Sequence, residues 1–190
     1  MKSKLLILLL MVSTAIFSQE NMLEANPSFK KGTQNWNSGY WGDSKSTPVA
    51  EFKIDSKGQD DNACFKTLVK KHTIGGLGNR IYLRFLDLKF KKGKTYELTF
   101  WVKSFSGKDQ IHVEVYSAPD SGGAYDWAAA VNENIAFTGN GKWQKITKKF
   151  VVTSLYDTSK LDLKNMGLLF GFDLRSGVYY VDNVTLRKIK

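Results

Sequence analysis

The sequence predicts an all-β fold, a single antiparallel β-sandwich that follows a secretory leader. Three observations predict it. About nine short segments alternate apolar and polar residues with a period of two. Gly-, Asn- and Lys-rich turn signals separate them, and no stretch carries the 3.6-residue period of an amphipathic helix.

The clearest segment is 95–103, entered through the solvated turn Lys91-Lys92-Gly93-Lys94. Tyr96, Leu98, Phe100 and Val102 point to one side, and Glu97, Thr99, Trp101 and Lys103 to the other. Trp101 is the anomaly, a large ring on a polar face that is either covered by another segment or used to bind something. Before this strand, Phe29 sits among turn formers and is followed by Trp36. Residues 37–44 read as a polar loop carrying Tyr40 and Trp41. Residues 49–54 alternate weakly around Val49 and Phe52, and residues 63–69 form a strand. Residues 72–79 are glycine-rich, and strand 80–88 turns Ile81, Leu83 and Phe85 inward and Arg80, Tyr82 and Arg84 outward.

Beyond the opening strand, residues 106–109 are of hairpin size. Ile111, Val113 and Val115 form a core stripe, with His112, Glu114 and Tyr116 opposite. Residues 119–127 are a long loop with Tyr125 and Trp127, and Ile135 and Phe137 open a short strand. Trp143, Ile146 and Phe150 anchor strand 143–152, with Trp36 and Trp143 expected in the core. Residues 155–165 are loop with room for one helical turn, and strands at 166–174 and 178–189 close the chain.

Length bounds this reading. The 190 residues suit one domain, able to bury roughly 70% of its unfolded surface without staples. Residues 1–18 join Lys2 and Lys4 to an apolar run at 5–12 and small residues to Ser18, the pattern of a cleaved Sec signal, too short to span a bilayer. No cysteine follows that run, so no lipid anchor is expected, and the domain at 19–190 is expected to be secreted or periplasmic. Removing the leader takes two lysines and no acid, so the net charge falls from +10 to +8. Such a charge favours polyanionic partners, although paired lysines such as Lys148-Lys149 also suit a plain solvated surface. Cys64 is the single cysteine, which excludes an intramolecular disulfide, and with two histidines it leaves no sulfur–imidazole zinc site.

Four motifs in order then resemble one family. Asn26-Pro27-Ser28-Phe29 followed by Trp36 is similar to the N-x-x-F…W opening of family 4/9 carbohydrate-binding modules. Residues 90–103 resemble its L-x-x-G-x-x-Y-x-L-S-F-W-x-K core. Trp143-Gln144 with Phe150 resembles its W-Q…F strand, and residues 180–186 its closing Y-I-D-D/N-V-S-L strand. The resemblance implies a galactose-binding-like jelly roll that holds glycan chains in a cleft on a concave sheet without breaking them. In that family an acidic residue after the phenylalanine commonly helps the closing aspartate to hold a structural calcium. Here Lys30 takes that place, so Asp182 is the candidate metal ligand of a site expected to be weakened or lost.

A sugar ring needs flat aromatic faces and polar edges beside it. The expected ligand-binding set is Trp41, Arg80, Tyr82, Arg84, Trp101, His112, Glu114, Tyr116, Tyr125 and Trp127. Arg80 and Arg84, two apart on one face, suit a uronate or sulfate, or else pair with Glu114. The expected partner is a polysaccharide, neutral or acidic and of plant or algal type, with no nucleic acid, no membrane span and a monomeric chain. Other classes stay open. Gln110-Ile111-His112 resembles the Q-I-H motif of jelly-roll alginate lyases, but the R-x-E-L and Y-F-K-A-G-x-Y-N-Q strands of those enzymes are missing. No G-x-S-x-G, H-E-x-x-H or phosphate loop occurs. An envelope or adhesion sandwich holding another protein would show an apolar patch in place of a cleft.

Overall fold

The computed structural model describes residues 20–24, 26–41, 50–60, 62–70, 80–117, 128–153, 155, 161–172 and 175–189. Ten strands run in chain order: β1 (Trp36–Trp41), β2 (Ala50–Asp55), β3 (Cys64–Val69), β4 (Arg80–Leu88), β5 (Thr95–Ser104), β6 (Gly107–Ser117), β7 (Ala128–Gly139), β8 (Gln144–Val151), β9 (Met166–Gly171) and β10 (Gly177–Lys188). They pair, always antiparallel, into two five-stranded sheets. Sheet A has the order β1-β4-β9-β6-β7 and sheet B the order β2-β3-β10-β5-β8. The described residues include no helix, hence none long and apolar enough to cross a membrane. The result is a β-sandwich consistent with a jelly roll.

The alternation expected in β5 is the alternation observed. Tyr96, Leu98, Phe100 and Val102 are buried while Glu97, Thr99, Trp101 and Lys103 are not. The core between the sheets is aromatic. Phe170 of β9 lies 4.8 Å from Phe100 of β5 and 6.3 Å from Trp36, and Phe29 joins Trp36 at 5.2 Å to Phe65 at 5.7 Å. Each such ring, fully buried, contributes roughly 1.5–3 kcal/mol. Asn26 keeps the N-terminal turn on this core: its amide donates to the carbonyls of Gly32 and Gln34, while its own carbonyl accepts from Trp36 Nε1 at 2.9 Å.

Two elements differ from expectation. Residues 37–41, read as part of a loop, belong to strand β1, because an edge strand pairs on one side only and tolerates Asn37, Ser38 and Gly39. β7 begins at Ala128 instead of near Ile135, since pairing with β6 along its whole length outweighs the weak strand preference of Ala128-Ala129-Ala130.

Consecutive strands β5 and β6 share no ladder: β5 belongs to sheet B and β6 to sheet A. The bend between them is fastened by Asp109, which is 2% exposed. Its carboxylate accepts from Ser104 Oγ at 2.6 Å, from Tyr179 Oη at 3.0 Å and from the backbone N–H of Gln110 at 2.9 Å. Gly107 supplies the left-handed backbone this corner needs, with φ of 81°.

Cys64 is fully buried on β3. Burial, reinforced by the carboxylates of Asp182 and Asp55, pushes its thiol up to about 12. Because the thiolate is the reactive form, Cys64 is expected to stay inert to a chromogenic disulfide at pH 8 in the native protein and to react stoichiometrically in denaturant. Rapid native labelling would show that β3 opens.

Candidate functional site

The outer face of sheet A brings together five of the ten expected ligand-binding residues, Tyr82, Arg84, His112, Glu114 and Tyr116. Strand register sets them in rows. One row runs Gly39, Tyr82, Gly171, His112 and Asn134 across β1, β4, β9, β6 and β7. The next runs Asn37, Arg84, Leu169, Glu114 and Asn132. A third sets Gly167 beside Tyr116 and Ala129. Tyr116, Ala129 and Leu169, with Tyr82 and Leu86 packed against them, form an apolar platform separate from the main core.

Glycine at 167 is what lets Tyr116 lie down on this platform. A Cβ there would stand 2.9 Å from Tyr116 Cε1, forcing that ring to shift, and 3.1 Å from Leu86 Cδ2, which would have to give slightly. Across the face, Arg84 stacks on Tyr82, its guanidinium carbon 5.0 Å from the ring centroid. Burial raises the Tyr116 hydroxyl above the ordinary tyrosine range, and the nearby Arg84 guanidinium opposes that rise. The two groups are neighbours but not aligned: neither the buried Arg84 Nε nor the buried Tyr116 Oη has a partner of hydrogen-bonding geometry. Two unsatisfied polar atoms beside an apolar platform are costly unless something else meets them.

His112 and Glu114, both 4% exposed, form a rigid polar flank. His112 Nε2 lies 2.6 Å from Glu114 Oε1, and Nδ1 lies 2.7 Å from Asn134 Oδ1. Both ring nitrogens are therefore engaged. Glu114 meets His112, whereas Arg84 has the Tyr82 ring against it.

Other expected site residues lie elsewhere. Trp101 is on β5, on the outer face of sheet B, with Asp182 and Lys145 as strand neighbours. It therefore cannot share a cleft with His112, Glu114 and Tyr116; the turn read as a hairpin carries the chain from one sheet to the other. Trp143, expected in the core, is half-buried on that same outer face against Lys103, 4.5 Å from its ammonium. Trp41 and Arg80 are strand neighbours at the β1–β4 end, with side chains outside the described residues, as Tyr125 and Trp127 are entirely.

Asp182 lies on β10 at a bulge that shifts register between it and Thr185. It is fully buried because residues 57–60 close over it. Gln59 N donates to Oδ2 at 2.8 Å and Asn183 N to Oδ1 at 2.7 Å. Gly58 is obligatory in that loop: a Cβ would meet Asn62 O at 2.5 Å and Asp182 Oδ2 at 2.7 Å. Burial holds the carboxyl above the ordinary range, against the two N–H bonds and the Lys30 charge. Calcium wants six to eight oxygens around it. Here each oxygen of the buried carboxylate already accepts an N–H, and both the Asp60 carboxylate and the Lys30 ammonium lie within electrostatic reach of it. Among the described residues no group of three or more His, Cys, Asp or Glu side chains is placed to hold a metal.

Residues 21–164 match the model of a carbohydrate binding domain, the family 4/9 type. No curated protein matches the sequence. Among solved structures, the chain is similar to a family 22 xylan-binding domain from Paenibacillus barcinonensis, with 16% identity over 90% of this chain and 96% of that one, at a TM-score of 0.58. A family 61 carbohydrate-binding module in complex with β-1,4-galactotriose gives 16% identity, 90% and 99% coverage and a TM-score of 0.55. The enzymatically active domain of tailspike protein 4 from bacteriophage CBA120 gives 13% identity and a TM-score of 0.61; the match covers 89% of this chain and 21% of that one, about a fifth of its length. At such identities these likenesses establish the fold alone.

Proposed function

The chain belongs to the family 4/9 carbohydrate binding domains, and from that premise we propose that it is a secreted or periplasmic, non-catalytic protein that binds polysaccharide on the outer face of sheet A. The observation that carries this reading is the half-buried Tyr82 ring with the Arg84 guanidinium stacked beside it, set over an apolar cluster on the outer face of sheet A. Tyr82, half-buried over Tyr116 and Leu169, offers ring surface for the C–H face of a sugar, and the half-buried Arg84 guanidinium beside it offers donors for its hydroxyls. A guanidinium in this position also suits a sugar carboxylate or sulfate, so an acidic glycan is the preferred ligand. Xylan for the Paenibacillus domain and galactotriose for the family 61 module show the ligand class such folds accommodate.

His112 supports binding over cleavage. A lyase base needs a ring nitrogen open to the substrate proton, and both nitrogens of His112 are held by Asn134 and Glu114. The test is retardation in native gels cast with xylan, mixed-linkage glucan, alginate or pectate, for the wild type beside Tyr82→Ala/Arg84→Gln. The wild type is expected to be retarded by at least one chain, and the double variant to lose about 30-fold or more in affinity. Equal retardation of both proteins would sink the assignment of this face, and release of unsaturated oligosaccharides would turn it into a lyase.

A further inference from the structure

The opposite surface carries an arrangement that the sheet A site does not use. On the outer face of sheet B, register aligns one residue from each strand in a single row. Lys53 of β2 pairs with Lys66 of β3, Lys66 with Tyr180 of β10, and Tyr180 with Lys103 of β5. Trp143, immediately before β8, completes the row beside Lys103, since the next residue Gln144 pairs with Val102. The Lys103 ammonium lies between the last two rings, 4.4 Å from the Tyr180 centroid and 4.5 Å from that of Trp143. Lys66 sits 5.2 Å from Tyr180 on the β3 side. Phe105, 63% exposed, meets Tyr180 edge-on at 6.3 Å. Where the row reaches β2, a hollow of about 370 Å³ opens, lined by Glu51, Phe52, Lys53, Lys66 and Leu68.

Charge along this row is unbalanced. Lys66 faces Asp55 at 3.6 Å and Glu51 goes to Lys70. Among the described residues, Lys53 and Lys103 have no carboxylate within ion-pair distance. Strands lie about 4.8 Å apart, so the three lysines occupy positions spread over roughly 15 Å, and neighbouring charges fall within about a Debye length at physiological salt. Three ammoniums so placed repel one another, and a ligand with anionic groups at similar intervals would relieve that repulsion. Lys145 and Trp101 stand together in the adjoining row and extend both the charge and the ring surface.

We propose that this row is a second glycan site, for a polymer bearing carboxylate or sulfate groups laid across the strands of sheet B from Trp143 to the hollow beside Lys53. The proposal rests on the carbohydrate-binding reading for its ligand class and on the row itself for its charge preference. Unstacked bases need open ring faces. Here the rings already carry ammoniums against them, so charge comes first and ring edges second, which suits spaced anions on sugars better than nucleic acid.

The experiment measures retardation of the full chain by polygalacturonate and by dextran sulfate, at low and high salt, with a single-stranded oligothymidylate as a competitor. Lys53→Gln/Lys103→Gln is compared with the wild type and with the sheet A variant Tyr82→Ala/Arg84→Gln, after matching thermal midpoints. Lysine replacement is expected to weaken retention by acidic polymers about tenfold or more at low salt and to reduce the salt slope by about two, one per ammonium removed, by analogy with phosphate contacts. The Tyr82→Ala/Arg84→Gln variant is expected to keep this salt-sensitive component, which separates the two faces: loss in the lysine variant alone would leave this site standing and the sheet A reading fallen. Unchanged retention of the lysine variant, or a wild type that neither acidic polymer retards, would overturn the proposal. Displacement of the glycans by stoichiometric oligothymidylate would overturn the glycan assignment in favour of nucleic acid. Charge reversal by Lys103→Glu gives an independent check, with a larger loss expected than for Lys103→Gln.

Discussion

Phe170→Ala is expected to cost about 3–5 kcal/mol and to lower the thermal midpoint by roughly 6–20 °C. Phe170 is fully buried near the end of β9, the middle strand of sheet A. It meets Phe100 of sheet B at 4.8 Å and Trp36 at 6.3 Å, with Leu83 and Val113 as its strand neighbours. Removing the ring leaves a cavity walled by β-strands on both sides, whose ladders prevent collapse. With total stability of about 5–15 kcal/mol for a domain, one ring is a large share. Chemical denaturation monitored by tryptophan fluorescence measures it. A loss below about 1 kcal/mol would mean that the two sheets are not packed through this residue.

Asp182→Ala is the second large effect, about 2–5 kcal/mol, because it strands two partly buried N–H groups, those of Gln59 and Asn183. The pH dependence has a definite sign. The folded protein holds this carboxyl above its unfolded value, so its contribution is fully present below the unfolded value and falls as pH rises through the folded one. The difference in stability between wild type and Asp182→Ala should therefore be larger near pH 3.5 than at pH 7. Because each oxygen of this carboxylate is already held by a backbone N–H, millimolar calcium or a chelator is expected to leave the wild-type midpoint in place. A chelator-induced fall of several degrees would restore the metal to this position. Either pH profile running the other way would show that the carboxylate is stabilised as an anion.

Alternation made each strand's inner face readable, and it did so well for β4, β5 and β6. It could not say to which sheet a strand belongs. Trp101 and His112 both point outward, as their spacing required, yet they point outward from opposite sheets, because a two-residue link of hairpin length turns a corner held by Asp109. That corner depends on a side-chain contact between residues five apart and on Tyr179, seventy positions away, which no local pattern reveals. Trp143 looked like a core residue by size, but the lysine two positions from Trp101 claims its ring instead. The Lys53–Lys66–Tyr180–Lys103–Trp143 row draws on four strands and a flanking residue scattered from position 53 to position 180, so only strand register makes it visible. The apolar platform was half legible: Tyr82 and Tyr116 stood out, while Leu169 and Gly167 looked like ordinary strand residues.

Among the described residues the two sheets also leave four edges, on β1, β7, β2 and β8, to which no further strand is paired. An edge of this kind is a template on which another chain can add a strand. β8 meets the hazard with Lys145, Lys148 and Lys149 within eight residues, and β2 with Glu51, Lys53 and Asp55 at every second position. A strand docking onto either would have to desolvate those charges, and β1, only six residues long with Asn37, Ser38 and Gly39 at its middle, offers little apolar surface to reward pairing. The lysines that make the chain basic thus double as gatekeepers against fibrous self-association at these edges.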